Sequence, residues 1–217
     1  MTIPEKYPVE KIVSFDSSPN VLIHSLFEGA QELLGEEKFL QILYCQLSRD
    51  NENKNGAQIS LSAFSGNEAG RFLQLLETIY GRPGGHGLAL RIGRISFKYV
   101  LKQMGDAAPL NQPQYRLIPI GRRLEIGLEH LARFVPPGDL APSVESPAET
   151  HWLWRSANVP DCVGRQGSDP CCYAFTGLLQ EFMLWAGNGR YYRVVETKCR
   201  AIGSLQCEFR IDKKPLD

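Results

Sequence analysis

The strongest constraint on this chain lies near its C-terminus, in VVETKCRAIGSLQCEFRI, residues 194–211. Alternating apolar residues on either side of Gly203 predict two strands joined at a turn. Glu196, Cys199 and Cys207 fall inside that hairpin, and a plain buried strand has no use for this mixture. Strand side chains alternate faces, so Glu196 and Cys199, three apart, converge only if the chain bends near residue 198. With that bend, two thiols and a carboxylate gather at one hairpin mouth.

All three side chains are zinc ligands, and a structural zinc site takes four. A fourth donor stands upstream in DPCCYAFTGLLQEFMLWAG, which reads as a long apolar helix entered at Pro170 and ended at Gly187. This places Cys171 and Cys172 in the first turn, where free amides and the helix dipole favour the thiolate. The spacing is not that of paired CxxC ribbons. On chemistry alone two readings stand: a metal site, or two small buried cysteines with a solvated glutamate.

The rest of the chain gives the setting. SPNVLIHSLFEGAQELLG offers a helix capped at Ser18, with Pro19 in its first turn and Gly35 at its end. EEKFLQILYCQLS continues as a second helix, and RDNENKNGA is a polar loop. A helix is expected over roughly 57–80, ended at Gly81. RPGGHG then turns into a further helix, LALRIGRISFKYVLKQMG. YRLIPIGRRLEIGLEHLARFV is another helix, interrupted or started at Pro119. PPGDLAPSVESPAE, dense in proline, marks a change of architecture, and THWLWRSA beyond it reads as a strand.

Charge and hydropathy exclude some functions. Lys plus Arg and Asp plus Glu are both 24, so no basic field favours nucleic acid. No apolar run approaches the roughly 18 residues of a membrane span, and charges and prolines interrupt the N-terminus where a signal peptide needs an apolar stretch. A cytoplasmic protein is expected, with its six cysteines as thiols or metal ligands. No nucleotide fingerprint is present, and GRPGGHG lacks the ending of a phosphate loop.

RYYRVVETKCRAIGSLQCEFRI resembles the C-terminal signature of the 4-vinyl reductase domain family, CCYAFTGLLQEFM is similar to that family's preceding helix, and HWLWRSA to its aromatic strand. The resemblance covers about residues 150–212. It implies an α+β fold, helices packed on a twisted antiparallel sheet of about four strands, shared with TRAPP vesicle-tethering subunits and with the sensory domains of phenol-responsive sigma-54 activators. Residues 1–56 then form an N-terminal helical segment and 57–217 the ligand-binding domain, together one compact unit. The resemblance selects Cys172 over Cys171, five residues before Gly177, and implies a structural Zn²⁺ held by Cys172, Glu196, Cys199 and Cys207. Arg193, Lys198, Arg200 and Arg210 are the nearby cations to offset the site's negative charge. Cys162 is placed near the metal but outside its ligand set.

The function so implied is non-enzymatic binding of a small hydrophobic ligand, aromatic or tetrapyrrole-like. The alternatives are an enzyme or accessory acting on a tetrapyrrole vinyl group, and a pure assembly module. Trp152, Trp154, Phe175, Phe182, Trp185, Tyr192 and His130 are the residues expected near the cavity, with Trp154 foremost, although each aromatic also suits a plain core. A homodimer is expected through the apolar faces of VLIHSLF and FLQILY.

Overall fold

Apolar periodicity builds the helices, and alternation, complete in β2 (His151–Ser156), helps build the strands. The computed structural model describes residues 21–50, 64–106, 108–135 and 140–216. The helices are α1 (Val21–Leu34), α2 (Glu36–Asp50), α3 (Gly66–Met104), α4 (Ile120–Arg133) and α5 (Tyr173–Ala186). The strands are β1 (Ser143–Ala148), β2 (His151–Ser156), β3 (Tyr192–Lys198) and β4 (Cys207–Pro215). They form one antiparallel sheet in the order β1-β2-β4-β3. The expected α+β architecture with four strands is the one observed.

Several expectations need adjustment. The break expected at Gly81 is present, with φ 74° and ψ 158°, but as a kink between two helical stretches that together make up α3, so that Pro83 and the expected turn RPGGHG lie inside the helix. That helix starts at Gly66 behind Ser65, whose hydroxyl accepts from the Asn67 N–H while Glu68 accepts from the Ser65 N–H. The proline-rich link contains an unexpected strand, β1, which tolerates Pro147 because it is an edge strand. Gly35 ends α1 with φ 79°, as its position implied. The cap at Ser18, Pro19 and the loop at 51–63 lie outside the described residues.

Two apolar clusters divide the interior. One gathers α1, α2 and the first part of α3 around Phe27, Phe39, Phe64 and Phe72, whose rings touch edge-on or tilted. The other lies between the sheet, α4, α5 and the end of α3. Leu22, Ile23, Leu26, Phe27, Phe39, Ile42 and Leu43 are all buried within the chain. The apolar faces that suggested a homodimer are thus covered intramolecularly.

Helices α3 and α5 meet at backbone distance through two glycines. A Cβ placed on Gly93 would lie 1.7 Å from the Ala174 carbonyl oxygen, and one on Gly177 2.0 Å from that of Leu90. This contact fixes where α5 begins, and hence where its first residues point.

Candidate functional site

Four separate segments deliver sulfur to one buried point. Cys162 closes a short 3-10 turn at Pro160–Cys162, Cys172 immediately precedes α5, Cys199 follows β3 and Cys207 opens β4. Their four Sγ atoms lie within 4.8 Å of one another. Cys162 and Cys207 are 3.3 Å apart, Cys172 and Cys207 3.6 Å, and Cys172 and Cys199 3.8 Å. All four are buried. A fifth thiol, Cys171, stands 3.9 Å from Cys199 at the cluster's edge.

The local folding explains each placement. Alternation on β4 turns Cys207, Phe209 and Ile211 inward. On β3, Tyr192 and Val194 face inward, and the pairing register then slips between Glu196 and Lys198. That irregularity supplies the bend expected near residue 198 and brings Cys199 to the inner side. Gly203, with φ 95°, closes the turn back to β4.

Cys162 arrives by a route the sequence did not advertise. Asp161 is fully buried, and its Oδ1 accepts from the Ala174 and Phe175 N–H groups at 2.7 and 3.1 Å. It thereby satisfies the free amides that start α5 and pins the 160–162 turn against that helix. Burial pushes its carboxyl up to about 6, against the pull of those two hydrogen bonds. A lone Asp distant in sequence from the helix it caps leaves no local signature.

Glu196 stands beside the sulfurs. Its Oε2 accepts from the Cys172 N–H at 2.9 Å, while Oε1 is buried with no hydrogen-bond partner. Desolvation pushes its carboxyl up to about 8, with the Cys172 hydrogen bond opposing. The group that closes to within 4.8 Å holds Cys162 where the sequence placed Glu196. Thiol acidity is divided within the cluster. Burial raises the Cys172 thiol well above its ordinary value, opposite to the helix-start expectation. Hydrogen bonds from Cys162, Cys171, Cys172 and Cys207 pull Cys199 down.

The four cations expected to offset that charge are placed otherwise. Lys198 pairs with Glu208, Arg210 with Asp212, the Arg200 side chain bonds the Ala157 carbonyl, and Arg193 is exposed. The Arg200 backbone N–H does donate to the Cys207 sulfur, at 3.4 Å.

The aromatic residues form packed layers. Trp154 is fully buried, with its ring centroid 4.6 Å from Phe175 and 5.9 Å from Phe209. Rings at these separations are in contact, so they fill the space between β2 and α5. The Trp154 indole Nε1 is nevertheless buried without an acceptor. Phe182 packs on Phe97 and crowds Gly127 of α4. Trp185 stacks on Tyr115 beneath the Arg116 guanidinium. Trp152 lies under Lys213, and Tyr192 packs at Gly187. His130 falls off the buried stripe of α4, and burial lowers its pKa. The structure thus joins Trp154 to Phe175 but does not bring all seven residues around one space.

These features define an α+β module with helices over a four-stranded antiparallel sheet and a buried thiol cluster at one end. No known protein family matches the sequence, and no curated protein does. Its fold is that of H-NOX domains. An H-NOX protein from S. oneidensis, in the Fe(II)NO ligation state, superposes with a TM-score of 0.52 at 12% identity, covering 89% of this chain and 98% of the other. An oxygen-binding H-NOX domain related to soluble guanylate cyclases gives 0.51 at 13%, covering 92% and 97%. A structure from work on heme distortion in the H-NOX family gives 0.53 at 13%, covering 92% and 97%. These neighbours correct the resemblance to 4-vinyl reductase domains and TRAPP subunits. The zinc cofactor that rested on it falls too, because the neighbours that share the fold are described by their iron and haem chemistry.

Haem is the group such a fold implies, and the described residues do not fit it. A macrocycle needs a large apolar cavity and an axial side chain. The cleft of about 460 Å³ beside α4 and β1 is lined by Glu129, Ala132, Arg133, Val135, Pro142 and Val144, none of them an axial donor. His86 lines a cleft of only about 240 Å³ and stacks on Tyr173 at 4.0 Å. His24 is buried in the helical cluster, and His151 bonds the Thr150 hydroxyl. The α4–α5 interface is closed by Phe182 and the Tyr115 hydroxyl over Gly127.

Proposed function

We propose that this chain is a non-enzymatic binding module whose chemical centre is a thiolate cage for one thiophilic metal ion. Four buried sulfurs from four segments, within 4.8 Å of one another, carry this reading. A tetrahedron with metal–sulfur bonds of about 2.3 Å has edges of about 3.8 Å, close to the separations of 3.6 and 3.8 Å for two of the pairs. The donors would be Cys162, Cys172, Cys199 and Cys207. Four protein ligands leave no open position, so the ion would tie the C-terminal hairpin to the start of α5 and perform no catalysis. Glu196 would serve beside the cage by holding the Cys172 amide.

The test contrasts two variants of the reduced protein titrated with Co²⁺ under anaerobic conditions. Glu196→Gln is expected to keep the visible absorption of tetrahedral cobalt thiolate, and Cys162→Ser to lose it. The reverse pattern restores a glutamate-containing ligand set. No uptake by the parent protein overturns the reading.

A second reading is capture of a small apolar ligand between β2 and α5, favoured by the unpartnered Trp154 Nε1. A ligand oxygen would supply the acceptor once Trp154, Phe175 and Phe209 part. Trp154→Ala should then weaken binding of an apolar aromatic probe by about 2 kcal/mol, and equal affinity in parent and variant excludes it. Among the described residues no helix is long and apolar enough to cross a membrane.

A further inference from the structure

A second site lies outside the cage, where the α3 kink faces the loop at 163–171. The cleft there, about 240 Å³, is lined by polar side chains that include Glu77, Arg82, His86, Arg165 and Asp169, with Cys171 also on its wall. Arg165 is held by Glu77, whose Oε1 accepts from its Nη2 at 2.6 Å, and its side chain is only 8% exposed. Its other terminal nitrogen, Nη1, is buried with no acceptor. A guanidinium placed so deeply leaves a donor uncompensated, and that is costly unless an acceptor arrives.

We propose that this cleft binds a small oxyanion or organic carboxylate, anchored by Arg165 and closed over by Arg82. The rim supports this. Arg82 donates to Asp169 at 2.8 Å, but both side chains are more than half exposed, and such surface pairs are weak and easily exchanged. An incoming carboxylate takes the place of the Asp169 carboxylate on Arg82 while offering its second oxygen to Arg165. Planar guanidinium groups suit this recognition. His86, stacked flat on Tyr173 with its Nε2 3.7 Å from the Glu77 carboxylate, forms one wall. The acidic groups facing the ligand are Glu77, already occupied by Arg165, and Asp169, which the ligand displaces. Volume restricts the occupant to a small metabolite, below the usual range for larger cofactors. The cleft adjoins the sulfur cluster through Cys171 but is lined by none of the four proposed donors.

The experiment is a titration of the full chain with inorganic phosphate, sulfate and malonate in separate arms, followed by the His86 ring resonances and by calorimetry. Saturable binding is expected with a dissociation constant on the order of 1 mM, and the tightest arm distinguishes inorganic oxyanion from carboxylate. Arg82→Ala, at an exposed position, should fold normally and weaken binding about tenfold. Arg165→Met should abolish it, with circular dichroism confirming the fold. Absence of saturation in every arm, or Arg82→Ala binding as tightly as the parent, overturns the proposal.

Discussion

Cys207→Ser is expected to remove most of the stability that depends on metal. An ion bound only by the folded state stabilises it by about 4 kcal/mol when its concentration is a thousandfold above the dissociation constant. The variant keeps a buried hydroxyl where a sulfur stood, which costs a further ~1–3 kcal/mol in either state. Urea unfolding with and without a chelator separates the two contributions. Chelation should shift the parent midpoint strongly and leave the Cys207→Ser midpoint in place. Position explains the size of the effect. Cys207 opens β4, the strand that pairs with both β2 and β3, and sits 3.3 Å from Cys162 and 3.6 Å from Cys172. Losing it frees the hairpin from the helix start and from the 160–162 turn together.

Gly177→Ala is expected to destabilise the chain comparably without removing any thiol. The added methyl would meet the Leu90 carbonyl oxygen at 2.0 Å and the Arg94 nitrogen at 3.2 Å. Neither is a flexible side chain, so two helices have to separate. Overpacking of this kind costs about 1–3 kcal/mol and more when backbone must move. Gly93→Ala, across the same interface, faces the Ala174 carbonyl at 1.7 Å and should behave alike. Gly121→Ala is the control: it lies in the first turn of α4 with nothing within 4 Å of the added carbon, and should be neutral or slightly stabilising. Thermal unfolding of the three variants checks this. Equal midpoints at all three positions would mean that the α3–α5 contact is looser than its geometry requires.

Local signals were legible in the sequence where a residue acts on its own neighbourhood. The alternation of Val194, Cys207, Phe209 and Ile211 marked two strands, and the spacing of Glu196 and Cys199 required the irregularity found beside Lys198. Gly35 and Gly203 marked a helix end and a turn through their positive φ. What escaped was carried by contacts across long separations. Asp161 caps a helix that begins twelve residues later, and Cys162 reaches the sulfur cluster on the turn beside that cap. Local pattern cannot weigh such a contact against the obvious carboxylate in the hairpin. The strand β1 was hidden by Pro147, because proline argues against a strand except at an edge. The aromatic residues stand out in the sequence as large apolar side chains, but sequence does not show whether rings surround a space or fill it. Trp154, Phe175 and Phe209 fill it.

Four buried sulfurs that act as one ligand set must bind a single ion and be shielded by it together. Native mass spectrometry of the reduced chain, loaded with Co²⁺ and then treated with a thiol-alkylating reagent, tests it most directly. One ion per chain is expected, with Cys162, Cys172, Cys199 and Cys207 protected from alkylation while the ion is bound and modified after its removal. A metal-free chain after loading, or an ion bound while any of these four thiols still reacts, would contradict it.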